Sequence, residues 1–216
     1  ELVGLPLKND VRHPIYDYEL EIFNALQRNE HTWIKKARGI GVTTFLIPYF
    51  AWKALKDDYM KGKAIFIISG TREDFANEVK QRIEKLVKNK YKDLDLQSKY
   101  TELVLNGCWI KVFPTRSLKD IRGYTDVRYI FCHEADYFEP REQEELGFVL
   151  KSYEEKSNAQ IIMASTPNRP DGLYAEIETG KKFKGFFTKI FLPYTRGLGK
   201  IYNTEFIKRE MKDPEF

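Results

Sequence analysis

Five short apolar runs alternate with longer segments of helical periodicity, and this leaves few folds open to the chain. The runs cover residues 32–36, 63–69, 129–132, 160–164 and 185–192. Ala64-Ile65-Phe66-Ile67-Ile68 shows no polar alternation, which predicts a strand buried on both faces. Helical periodicity covers residues 18–29 (Leu20, Ile22, Phe23 and Leu26 on one face), 43–61, 73–90 (Phe75, Val79, Ile83, Leu86 and Val87 together) and 139–152. The 43–61 segment is apolar almost all round, with Pro48 expected to bend its second turn. Thr204 is expected to cap a final helix. Strands alternating with helices predict an α/β fold, with a mainly parallel sheet covered on both faces and a ligand crevice at the carboxyl ends of the strands. One departure is expected: residues 101–105 and 108–113 flank Asn106-Gly107, a strong hairpin signal. A length of 216 residues suits one domain, and no internal repeat or low-complexity segment is visible.

The junction between the first strand and the second helix reads Lys36, Ala37, Arg38, Gly39, Ile40, Gly41, Val42, Thr43, Thr44. Set against the phosphate-loop pattern G-x-x-x-x-G-K-S/T, Gly41 and Thr43 fill the second-glycine and hydroxyl positions. Val42 stands where the lysine belongs, and Lys36 where the first glycine belongs. On this reading the amides of Gly39, Gly41, Val42 and Thr43 face phosphate at a helix start, and the Thr43 hydroxyl takes a position on Mg²⁺. Lys36 is the relocated cation of a nucleoside triphosphate site. The alternative is a glycine-containing strand-to-helix turn with no ligand.

Two further strands end in polar residues. In P-loop enzymes an apolar strand ending in acid lies beside the loop; its Asp polarises the Mg²⁺ shell and the next Glu orients water. Here Tyr129-Ile130-Phe131-Cys132 is followed by His133 at the Asp position and Glu134 at the Glu position. The strand of residues 160–164 runs into Ser165-Thr166-Pro167, where Ser165 and Thr166 could sense the terminal phosphate or simply form a turn.

These elements, in this order, resemble the ATPase domain of the large terminase subunit of tailed viruses, which packages double-stranded DNA into procapsids. Some members carry the lysine at the start of the loop, as Lys36 does. Ile130-Phe131-Cys132-His133-Glu134-Ala135-Asp136 resembles the family's Walker B run, and Ala164-Ser165-Thr166-Pro167 its coupling motif. Tyr16 to Phe23 resembles the adenine-reading segment, with Glu19 at the Gln position twenty-two residues before Gly41. Ser117 to Gly123 resembles the segment carrying an arginine finger, here Arg122, and residues 204–211 and 213–216 resemble the domain's end. The resemblance runs from about Arg12 to Phe216. It implies a P-loop NTPase of the ASCE/RecA-like class, plus the β-hairpin, with ATP and Mg²⁺ as cofactors. Lys36, Glu134 and Arg122 would be catalytic, Arg122 acting on a neighbouring subunit. The implied partners are double-stranded DNA, a portal, a small terminase subunit and other copies in a homo-oligomeric ring, in the host cytoplasm and without a membrane. Three positions depart from the family pattern: Val42 for Lys, Glu19 for Gln, and His133 for Asp at the metal.

The net charge of +4, from 36 basic and 32 acidic residues, gives no global nucleic-acid footprint. Basic residues concentrate at 80–92, read as the solvated face of a helix with DNA contact as the alternative. They concentrate again at 181–189, read as a strand with an alternating face, with single-strand binding as the alternative. Cys108 and Cys132 fall in apolar strands and are expected to be buried free thiols of a reducing interior. No apolar run approaches the ~18–20 residues of a membrane span. No signal peptide is visible, and Glu1 and Phe216 read as cuts in a longer chain in which a nuclease domain follows. Two competing functions remain at this stage: a helicase-like nucleic-acid ATPase, and a nucleotide-binding regulatory domain with little hydrolysis.

Overall fold

In a computed structural model, which describes residues 15–70, 73–91 and 96–210, the apolar runs become strands of one sheet. Arg12, Lys92 and the 213–216 segment lie outside the described residues. The elements are α1 (Asp17–Gln27), β1 (Thr32–Lys36), α2 (Val42–Lys56), β2 (Ala64–Ser69), α3 (Glu73–Lys90), β3 (Gln97–Ser98), β4 (Glu102–Leu105), β5 (Cys108–Phe113), β6 (Val127–His133), α4 (Pro140–Ser157), β7 (Gln160–Ser165), α5 (Leu173–Thr179), β8 (Thr188–Leu192) and α6 (Thr204–Glu210). Among the described residues eight strands run in the order β3-β4-β5-β2-β6-β7-β1-β8. From β5 to β8 all neighbours are parallel; β3 and β4 add an antiparallel edge. The fold is therefore the expected α/β sheet with a hairpin. Asn106 and Gly107 both take positive φ, 49° and 75°, as a two-residue turn between right-twisted strands requires.

Alternation along each strand sorts the core into two layers. Ile34, Ile65, Ile67, Tyr129, Phe131 and Ile162 pack against α1, α2 and α3. Trp33, Phe66, Ile68, Ile130, Cys132 and Met163 pack against α4 and α5. Both cysteines are free and buried, and burial pushes the Cys108 thiol up to about 12. No helix of the described residues is long and apolar enough to cross a membrane.

β7 pairs with both β6 and β1 and lies between them, and the end of β6 still reaches the loop through Glu134 and Lys36. The structure corrects several expectations. Helix α2 passes through Pro48 but stops at Lys56 rather than residue 61. The cause is Asp57, whose carboxylate takes the Tyr59 N–H at 3.1 Å and Lys53 Nζ at 2.6 Å, offering the backbone an alternative to the helix. Residues 181–187 are a turn, not the start of a strand. Phe183 sits at φ 50°, and the rings of Phe183, Phe186 and Phe187 pack on one another, with His31 stacked on Phe186 at 4.0 Å. The cap of α6 is Asn203, whose Oδ1 accepts from the Glu205 N–H at 2.8 Å; Thr204 is the first helical residue. Helix α5, which the sequence reading missed, fills the crossover between β7 and β8.

Candidate functional site

Lys36, Ser69, His133 and Ser165 end β1, β2, β6 and β7 at the carboxyl edge of the sheet, and the register brings these ends level. Lys35 and Lys36 leave β1 on opposite faces, as strand alternation demands. Lys35 Nζ binds both carboxylate oxygens of Glu178 on α5, at 2.8 and 3.0 Å. Lys36 turns to the α2 face and is 6% exposed. Its Nζ donates to Glu134 Oε1 at 2.5 Å and to Thr166 Oγ1 at 3.1 Å, spanning the intervening β7.

Glu134 follows β6 in the left-handed region, with φ 54° and ψ 48°. A non-glycine residue held there costs of order 1–3 kcal/mol and persists only where its surroundings fix it. Here they do: besides Lys36, the carboxylate accepts from the Thr166 N–H at 2.9 Å and the Ser165 hydroxyl at 3.3 Å. Burial alone would raise its pKa. The bond and charge of Lys36, with the Thr166 N–H, outweigh burial and hold it below the usual carboxylate range. The neighbouring His133 is pushed down to about 4, first by burial and then by Lys36 and Arg82, against the pull of Glu134. It is a neutral imidazole at pH 7, with Nδ1 2.9 Å from Ser69 Oγ.

The loop opens beside this pair. The Ala37 N–H still bonds Leu192 O at 2.8 Å, and the chain then turns through Arg38 and Gly39. Gly41, at φ 92°, is the N-cap of α2; a Cβ there would meet Ile201 Cδ1 at 3.1 Å and force a conformation that side chains avoid. A glycine cap offers the first-turn amides no side-chain oxygen, and that turn carries no acidic residue. The helix start therefore keeps free N–H groups and the positive end of its dipole for an anion. Thr43 and Thr44 lie half-buried in this turn, and Val42 is buried. The loop is held from outside by Tyr18, whose hydroxyl donates to Ile40 O at 3.0 Å, and by Tyr202, whose hydroxyl donates to Arg38 O.

Two expected residues do not join this group. The Glu19 carboxylate is buried and accepts from the Tyr16 N–H at 2.9 Å, so it closes the start of α1; from that helix it is Tyr18 that reaches the loop. Arg122 is exposed and pairs with Glu145 of α4 at 3.3 Å. Two further residues support the site. Asp136 is buried; its Oδ2 accepts from the N–H groups of Asn168 and Arg169 at 2.6 and 3.0 Å, and its own N–H donates to Ser165 Oγ at 3.1 Å. The Tyr174 hydroxyl lies 2.6 Å from Ile34 O and 3.3 Å from Ser165 O, tying β1 to β7. Asp136 was visible as the second acid of the His-Glu-Ala-Asp run, whereas Tyr174 had no signal outside the missed helix.

The donors present fit a triphosphate: amides, a helix start and a buried lysine. They fit Mg²⁺ less fully. Thr43 offers a hydroxyl, but His133 offers nitrogen where a hard cation takes oxygen. Among the described residues no three His, Cys, Asp or Glu side chains are placed to hold a metal.

No protein-family model and no curated protein sequence matches the chain. Solved structures do match. The large terminase of bacteriophage HK97 superposes with a TM-score of 0.73 at 12% identity, over 99% of this chain and 49% of that one. The large terminase ATPase domain of Thermus phage P74-26 gives 0.64 at 12% identity, over 95% of this chain and 90% of that domain. A DEAD box protein of Methanococcus jannaschii gives 0.54 at 17% identity, over 85% and 51%. The chain thus spans about half the length of the HK97 protein. It has the P-loop NTPase fold found in large-terminase ATPase domains, as the sequence resemblance implied.

Proposed function

We propose that this chain is the ATPase domain of a viral DNA-packaging motor, coupling hydrolysis of Mg²⁺-ATP to movement of double-stranded DNA. The observation that carries the reading is the Lys36–Glu134 pair at the mouth of a glycine-capped helix. It joins the relocated loop cation to the expected water-positioning acid on a fold shared with two large terminases. The bound nucleotide supplies the anhydride bond to be broken. Lys36 and the amides of Gly39, Gly41, Val42 and Thr43 would hold the phosphates, and the Thr43 hydroxyl would be the loop's ligand to the metal. While Lys36 is bonded to Glu134, that carboxylate is not free to orient water. Phosphate oxygens that draw Lys36 away release Glu134 as it is needed. Arg122, exposed and away from its own site, suits a role on a neighbouring subunit of a ring. Ser165 and Thr166, both bonded to Glu134, relay the change to β7. Portal, small terminase subunit and host cytoplasm are the setting that the terminase resemblance supplies.

A second reading, a nucleotide-binding domain with little hydrolysis, is favoured by the neutral His133 beside the metal position. Phosphate release by the purified protein separates the two. Wild-type should release phosphate from ATP in a Mg²⁺-dependent reaction, slowly when dilute because an arginine supplied in trans can contribute about 10³–10⁵ in rate. Glu134→Gln should bind ATP without turnover. ATP binding with no release by wild-type at any protein concentration favours the second reading.

A further inference from the structure

The loop has an unmet charge requirement. Triphosphate sites of this type place a lysine where Val42 stands, and Val42 is apolar and buried. Lys36 is the nearest replacement, but its ammonium is shared between Glu134 and Thr166. A second cation reaches the same place from α3. Arg82 sits next to the buried Ile83, on the exposed side of that helix, and its Nη2 lies 3.4 Å from Thr44 Oγ1 in the first turn of α2. The guanidinium therefore lies at the start of α2, where the loop would present a terminal phosphate. Among the described residues no carboxylate pairs with it. The bond to Thr44 is long and uses one of five donors, leaving a planar fork suited to two phosphate oxygens.

We propose that Arg82 is a phosphate-binding residue of this site, taking the terminal phosphate of a triphosphate within its own subunit and supplying the positive charge the loop lacks at Val42. The proposal rests on the nucleotide-site reading above and is separate from any role of Arg122 in trans. It makes the site discriminate by phosphate number. A diphosphate has no group at that position, so Arg82 should matter to the triphosphate alone.

The test is titration calorimetry of the purified protein with a non-hydrolysable ATP analogue and with ADP. Wild-type is compared with Arg82→Ala, Arg82→Lys, Arg82→Gln and Lys88→Ala. Lys88 is an exposed cation on the same helix that pairs with Glu84 and controls for bulk charge. Arg82→Ala should weaken the analogue by about tenfold or more and ADP by less than about twofold, the scale of one charge-assisted contact. Arg82→Lys should recover part of the loss, Arg82→Gln should not, and Lys88→Ala should match wild-type. Equal losses for both nucleotides, an unchanged ratio, or the same loss at Lys88 would overturn the assignment while leaving the nucleotide site intact. A wild-type protein that binds neither nucleotide would overturn the site itself and Arg82 with it.

Discussion

The Lys36–Glu134 pair makes unequal demands on its two members, and a double-mutant cycle should show it. Lys36 is 6% exposed while the Glu134 side chain is 31% exposed. Replacing Glu134 with Gln keeps an acceptor for the Thr166 N–H but leaves a buried ammonium with only the Thr166 hydroxyl. Removing one partner of a fully buried pair costs about 3–5 kcal/mol, and an exposed pair is worth about 0–1 kcal/mol. Lys36 lies near the first limit, so Glu134→Gln should destabilise by about 2–4 kcal/mol. Lys36→Met should cost less, about 1–2 kcal/mol, because Glu134 keeps Thr166, Ser165 and partial access to water. The double variant has no charge left to strand, and it should be more stable than the sum of the single losses by about 1 kcal/mol or more. Urea unfolding of the four proteins at pH 7 gives all the terms. A coupling below about 0.5 kcal/mol, within the usual error of additivity, would show that the pair does not hold Lys36, and the release step built on it would fall.

Three other outcomes follow from the same geometry. Lys36→Ala should weaken ATP binding by at least about tenfold and Lys35→Ala by about twofold, since Lys35 is spent on Glu178; equal effects would mean that the loop register is wrong. Stability should fall with acid between pH 6.5 and about 4. Over that window the unfolded chain protonates residue 133 while the folded chain, with His133 pushed down to about 4, does not. The contribution is present above the unfolded value and lost as pH falls, about 3 kcal/mol in all. His31, lowered by burial, adds in the same direction, so the reading to make is the flattening of the pH profile in His133→Asn, and an unflattened profile would count against the buried neutral ring. Gly41→Ala should destabilise the fold by about 1–2 kcal/mol through positive φ and the 3.1 Å approach to Ile201, read as a lower melting temperature, and a neutral result would mean that the cap is not left-handed.

Much of this was legible in the sequence, for physical reasons that differ by element. β2, β6 and β7 declared themselves because strands buried on both faces must be apolar throughout, and the hairpin because Asn-Gly suits positive φ at both turn positions. The opposed directions of Lys35 and Lys36 followed from strand alternation alone. What the sequence concealed depended on partners far along the chain or on local competition. Helix α2 ends where the Asp57 carboxylate captures a backbone N–H, which periodicity does not register. Residues 181–187 have strand-like composition, but their aromatic rings pack on one another and on His31 instead of alternating. The placement of β7 between β6 and β1 is a matter of topology, and so is the reach of Arg82 to the first turn of α2.

The left-handed Glu134 brings these strands of inference together. Its conformation is costly, and every group that offsets the cost belongs to another element: Lys36 from β1, and Ser165 and Thr166 from the end of β7. The same turn continues into Asp136, which accepts from the backbone N–H groups of Asn168 and Arg169 just beyond β7. Whatever releases Lys36 from Glu134 therefore removes one of the three contacts that hold a strained residue. The other two bear directly on the segment that leads through α5 to β8. On the proposed reading, phosphate binding at the loop and rearrangement at the end of β7 compete for one carboxylate. That competition would couple nucleotide binding at the loop to the backbone at the end of β7.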